Sequence, residues 1–154
     1  MTIGAALTLA AAGVAMFAGI GSAKGVGMAC EAGTGVLTED SSKFGKLLVL
    51  ELLPGTQGLY GFIVAFLIMI QSGVMGGNAA NISAETGWQY LGASLAIGIV
   101  GWFSAMAQGR AAVASIAMIA KKPSEFAKGL VSTTLVEIYA LLAFLVSLLC
   151  VINI

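Results

Sequence analysis

The stretch TTLVEIYALLAFLVSLLCVI, residues 133–152, decides the fold. A helix that crosses a membrane takes about 20 mainly apolar residues, and this run supplies them. Inside it stands a single carboxylate, Glu137. A charge near the bilayer centre costs at least about 2.5–3.5 kcal/mol on insertion scales, so a carboxylate kept there has a partner or a task. The rest of the chain must supply one or the other.

The surroundings are equally apolar. Of 154 residues, 59% are hydrophobic and 9% charged, with mean hydropathy +1.02. Soluble domains carry roughly 25% charged residues, so this chain lacks the polar surface to stay in water and belongs in a membrane. Seven basic residues balance seven acidic ones, and there is no His. That removes the usual general base and the commonest metal ligand, and with them most enzymatic readings. No basic patch of the kind that binds nucleic acid is present. Cys30 and Cys150 have no metal-binding spacing and fall near opposite membrane faces, which predicts two free thiols.

Four apolar windows qualify as spans: 3–36, 45–71, 87–120 and 127–153. They predict an all-α membrane protein whose longer helices project beyond the bilayer. The first window has no basic leader and outruns a signal peptide, so it reads as a retained helix. Lys24, Lys43, Lys46, Arg110, Lys121, Lys122 and Lys128 all fall on the side of the first and third loops. The bias of basic residues toward the cytoplasm then puts loops one and three inside and both termini outside.

The chain is also a duplication. KFGKLLVLELLPGTQGLYGF (43–62) aligns with EFAKGLVSTTLVEIYALLAF (125–144) at an offset of 82, pairing Phe44 with Phe126, Lys46 with Lys128 and Phe62 with Phe144. The preceding spans match more loosely at 84, AKG (23–25) against AQG (107–109). Two helical hairpins in tandem are predicted, residues 1–78 and 79–154. Glu137 falls opposite Gly55, so only the second hairpin carries the carboxylate.

Spans one and three are rich in Gly, Ala and Ser, whereas spans two and four are rich in Leu, Ile, Val and Phe. Small residues let helices approach closely in lipid. A closed ring with thin helices inside and bulky ones outside uses that difference; close packing inside a single bundle is the plainer alternative. GIGSAKGVG (19–27) has the look of a phosphate loop. However, Lys24 precedes Gly25 and no strand comes before it, so these glycines read as helix-packing residues.

A cage for a cation gathers around Glu137. In LLPGTQGLYG (52–61), helical spacing puts Leu53, Thr56, Gln57 and Tyr60 on one face, at about 100° per residue. Pro54 lacks an N–H and loosens the backbone ladder, freeing a carbonyl. Span three adds Gln108. A hydroxyl, two amide oxygens, a backbone carbonyl and one carboxylate suit a hard, monovalent cation. A divalent ion would leave net charge in the membrane, and a bare proton needs fewer ligands, so Na+ fits best. The plainer reading is that Gln57 and Gln108 hydrogen-bond each other as interhelical glue around a protonated Glu137.

These residues carry a resemblance. GIGSAKGVGM, LLPGTQGLYGF, LGASL, AQG followed by Arg110, AKKP, and VE then YA resemble the membrane rotor-ring subunits of V-type sodium-transporting ATPases, the subunit K or sixteen-kilodalton proteolipid branch of the c-subunit family. The resemblance covers nearly the whole chain. It implies a ring of identical subunits turning against a stator membrane subunit that supplies an arginine. Central-stalk subunits would link the ring to a soluble ATP-hydrolysing head, so this chain itself would be non-catalytic. It also implies an ion site of the Leu53 carbonyl, Thr56, Gln57, Gln108 and Glu137, with Tyr60 steadying the carboxylate. Proton coupling, and a tetraspan channel or structural proteolipid without a motor, are the alternatives. Glu51 departs from the sodium-type pattern, where an amide is usual. Its expected setting is the interface, solvated or paired with Arg110 or a neighbouring subunit, or else lining an ion access route. Lys24 is expected to snorkel toward head groups.

Overall fold

Thr2 starts the first helix. Its hydroxyl accepts the amide of Ala5 at 3.2 Å, satisfying one of the donors that every helix start leaves over. The computed structural model describes residues 2–77 and 79–154 and is helical nearly throughout. The first span comprises α1 (Ile3–Ala15) and α2 (Phe17–Glu39), meeting at Met16. A 3₁₀ turn at Ser41–Lys43 leads into the second span, α3 (Phe44–Leu52) and α4 (Thr56–Gln71). The third span is the single helix α5 (Ala84–Lys121), about 57 Å long at 1.5 Å per residue. Capping by Ser83, whose hydroxyl accepts from Thr86 at 3.1 Å, fixes its start. The fourth span holds α6 (Phe126–Thr134) and α7 (Glu137–Ile152). The four apolar stretches run Ile3–Glu39, Ser41–Gln71, Ala84–Lys121 and Pro123–Ile152, within a few residues of the windows read from sequence.

The ends are sorted by hydrogen bonds. Lys43 donates to the Ala120 carbonyl at 2.9 Å and Lys46 to that of Pro123 at 3.0 Å, which ties the first loop to the third. At the other end Thr2 donates to the Ala79 carbonyl at 3.1 Å, so the N-terminus lies against the second loop. Cys30 and Cys150 are free thiols.

Spans one and three run side by side along glycines. A methyl group added at Gly109 would lie 2.5 Å from the Cα of Gly25, and one at Gly101 would lie 2.7 Å from the Cβ of Ala18. Only a missing side chain permits that approach. The apolar interior is divided in two. One cluster joins Ala11, Ala15, Val64, Ile68, Tyr90 and Ile97; the other joins Ala29, Leu47, Leu50, Ala112, Ile116 and Ile119. Along every span the polar residues discussed below fall between the two. Large side chains such as Leu59, Phe62, Phe103, Tyr139, Leu142 and Leu149 are exposed, as suits faces meant for lipid or for neighbouring chains.

Both bulky spans are interrupted, and at equivalent places in the repeat. In the second span Leu53–Gly55 tightens into a 3₁₀ turn at Pro54. In the fourth, α6 stops at Thr134 and α7 starts at Glu137, with no proline involved. The cause lies in the preceding turn. The hydroxyls of Thr133 and Thr134 donate back to the carbonyls of Gly129 and Leu130 at 2.9 and 3.1 Å, a competition that bends helices.

Candidate ion-binding site

The second-span interruption builds the first half of the site. Pro54 offers no N–H to the Leu50 carbonyl. In the tightened turn the Leu53 carbonyl accepts the amide and the hydroxyl of Thr56, the latter at 2.9 Å. The next residue, Gln57, is wholly buried, as is Gln108 of α5. The amide of Gln57 donates to Oε1 of Gln108 at 2.5 Å, and the amide of Gln108 donates to the Thr133 carbonyl at 3.2 Å. A line of polar groups therefore crosses from the second span through the third to the fourth. The interhelical amide bond of the plainer reading is thus formed. It does not exhaust the oxygens: an amide oxygen carries two lone pairs, so that of Gln108 keeps one, and Oε1 of Gln57 is met only by Thr56 at 3.4 Å.

The second half hangs from Glu137, the half-buried first residue of α7. Its Oε1 accepts from the Tyr60 hydroxyl at 2.6 Å, and the Tyr60 ring stacks on Phe144 with centroids 5.2 Å apart. Thr133, which holds Gln108, lies one helical turn before Glu137. Leu53, Thr56, Gln57 and Gln108 form one hydrogen-bonded series, and Tyr60 and Glu137 form a pair beside it. Among the described residues every buried polar side-chain atom has a partner. Nowhere among them do three or more His, Cys, Asp or Glu side chains gather. A cation in this belt would meet one carboxylate and several neutral oxygens.

Three other charges take definite places. Glu51 is half-buried on α3 with its carboxylate against Gly33, in the space a side chain there would fill. Within the chain it makes no ion pair with Arg110. The ion pairs among the described residues are Lys43 with Asp40 and Lys128 with Glu125. Arg110 is exposed and shares a shallow groove with Glu31. Lys24 is exposed on α2, in keeping with a snorkelling side chain.

Sequence reasoning missed two serines. Ser22 of α2 accepts the backbone amide of Gly58 at 2.8 Å, and Ser104 of α5 donates to the Val136 carbonyl at 3.1 Å. A signal was present. Positions 22 and 104 are separated by 82, the offset of the bulky spans, whereas the looser matching of spans one and three at 84 hid the pair.

An all-α membrane chain of four spans in duplicated hairpins, with a carboxylate at the break of the last span, defines a proteolipid of the rotor-ring class. The profile of the ATP synthase C-subunit family matches twice, over residues 9–68 and 91–150, and the chain belongs to that family. Both ends of the two matched stretches are 82 apart, which replaces the looser offset of 84. At that offset Gly19 meets Gly101, Ser22 meets Ser104 and Gly27 meets Gly109. A stretch so rich in Gly and Ala aligns acceptably in more than one register, which is why the sequence alone misplaced it. The chain is 50% identical over 145 residues to a V-type sodium ATPase subunit K of Enterococcus hirae, covering 94% of this chain and 89% of that one. It is 38% identical over 144 residues to an A-type ATP synthase subunit K of Methanocaldococcus jannaschii, covering 93% of this chain and 60% of that relative's length.

Proposed function

We propose that this chain is the rotor-ring subunit of a V-type sodium-transporting ATPase and carries one Na+ per chain, as cargo, between the Leu53 carbonyl, Thr56, Gln57, Gln108 and Glu137. The observation that carries this reading is the placing of Glu137 at the fourth-span helix break, held by Tyr60 beside buried neutral oxygens. Its division of labour follows the repeat: hairpin 1–78 supplies the hydroxyl and one amide, and hairpin 79–154 supplies the other amide and the charge. With Na+ bound, the carboxylate is neutralised and the site can face lipid; emptied, it is charged and cannot. Rotation past lipid is therefore open only to loaded subunits, which couples ion passage to torque.

The partners follow from that task. Identical chains close the ring, and their exposed apolar faces meet one another and lipid. A stator membrane subunit presents an arginine that displaces Na+ from Glu137 at the exit. Central-stalk subunits join the ring to the head that hydrolyses ATP, and this chain catalyses nothing itself. The lysine-bearing first and third loops face the cytoplasm, toward that head, and both termini lie outside.

Purified oligomer incubated with a carbodiimide tests the assignment. Glu137 should be modified, Na+ should protect it, and titration should give one Na+ per chain. Labelling indifferent to Na+ but falling as pH rises would point to proton coupling. That second reading draws on the Gln57–Gln108 hydrogen bond, which engages the two amides with each other.

A further inference from the structure

We infer that Ser22 and Ser104 are a repeat-related pair of positioning residues, each holding the broken helix beside it so that one half of the ion cradle keeps its shape. The inference rests on the ion-site reading above and deepens it.

The argument starts from the backbone. An interrupted helix leaves amides and carbonyls without their usual partners, and in a membrane interior no bulk water replaces them. A serine hydroxyl can meet either kind of group, because it both donates and accepts. At the second-span break it accepts: the Gly58 amide, one residue beyond Gln57, reaches Ser22 at 2.8 Å. At the fourth-span break it donates: Ser104 reaches the Val136 carbonyl at 3.1 Å, on the peptide joined to Glu137. Both serines are 7% exposed and sit on the small-residue spans.

The fit around Ser22 is close. A methyl group at Gly58 would lie 3.2 Å from both Cβ and Oγ of Ser22 and 3.3 Å from the Cα of Gly19, so glycine is what lets the hydroxyl reach the backbone. On α5, Ser104 precedes Gln108 by one helical turn, and the two side chains grip the fourth span at Val136 and Thr133. Ser22 thereby steadies Thr56 and Gln57, whereas Ser104 steadies the carboxylate. Two other buried serines bond away from the breaks: Ser94 donates to the Leu91 carbonyl at 2.8 Å, and Ser147 accepts the Ile97 amide at 3.0 Å.

The test compares S22A, S104A and S147A as purified oligomers, reading Na+ protection of Glu137 from carbodiimide and, without Na+, the pH profile of its labelling. Losing one such hydrogen bond should raise the half-protecting Na+ concentration roughly three- to tenfold in S22A and S104A. S147A should resemble the parent. The Na+-free pH profile should move in S104A, which acts on Glu137, and stay put in S22A, which acts on the neutral oxygens. S104T, which restores a hydroxyl, should recover protection in part. Parent-like protection in S104A, or an equal loss in S147A, would overturn the inference. Were the parent itself unprotected by Na+, the ion assignment would fail, and an unmoved S104A pH profile would then separately sink the positioning role.

Discussion

The Tyr60 hydroxyl donates to Oε1 of Glu137 at 2.6 Å and so joins the second turn of α4 to the first residue of α7. The bond does two things at once. It fixes which way the carboxylate points, and it occupies one of the two carboxylate oxygens with a neutral donor.

Tyr60→Phe removes that donor and keeps the ring that stacks on Phe144. Hydrogen bonds to charged groups contribute about 1.5–3 kcal/mol, so Na+ affinity should fall at least tenfold while the oligomer stays assembled. The measurement is Na+ binding by the purified ring. Unchanged affinity would leave Tyr60 with a packing role alone.

The two buried glutamines are unequal. Gln108→Ala strands the Gln57 amide and the Thr133 carbonyl, whereas Gln57→Ala strands only an oxygen of Gln108. A buried group left unpaired costs about 1–3 kcal/mol. Both variants should bind Na+ more weakly, but Gln108→Ala should melt at the lower temperature. Thermal unfolding in detergent distinguishes them, and the reverse order would contradict the hydrogen-bond series.

Glycine contacts between spans one and three give a contrast of a different kind. Gly109→Ala places a methyl 2.5 Å from the Cα of Gly25, backbone that cannot move aside cheaply, whereas a methyl at Gly27 meets nothing within the chain. Gly109→Ala should lose folded protein and Gly27→Ala should keep it. Equal yields of the two would mean that the spans separate more easily than this packing implies.

How far the sequence is legible follows from the same physics. Span limits, the sorting of loop ends, and the gathering of Leu53, Thr56, Gln57, Gln108, Tyr60 and Glu137 into one belt could be read because hydropathy and helical spacing are local properties. Pro54 announced its own helix break. The second break carries no proline; it arises from Thr133 and Thr134 bonding back along their helix, a choice of side-chain partner that composition does not specify. Ser22 and Ser104 were hidden because Ser on a small-residue helix looks like one more spacer until its partner backbone is located. Glu51 lies against Gly33 rather than with Arg110, since which of several nearby charges pair depends on helix rotation.

Acid should loosen the first loop. The Ser42 hydroxyl and amide both donate to Asp40 Oδ1, at 2.6 and 3.0 Å, and hold that carboxyl below the usual carboxylate range, with Lys43 adding to the effect. A carboxyl whose pKa drops on folding stabilises the folded loop fully above its unfolded value, and that contribution is lost as pH falls through the folded one. Hydrogen exchange at Ser42 should therefore quicken as pH falls through that window, once the intrinsic pH dependence of exchange is divided out. Asp40→Asn should flatten the response; an identical profile in that variant would assign the acid sensitivity elsewhere.

Glu137→Gln separates charge from shape. The amide keeps the length of the side chain and an oxygen able to accept from Tyr60, so the ring should assemble with ordinary stability. What it lacks is the negative charge on which the proposed coupling of ion and rotation rests. In proteoliposomes holding the full ATPase, ATP-driven Na+ uptake should vanish, and carbodiimide should no longer label the subunit. Substantial Na+ uptake by this variant would place the translocating charge on another residue, with Glu51, the half-buried carboxylate of the second span, the first to examine.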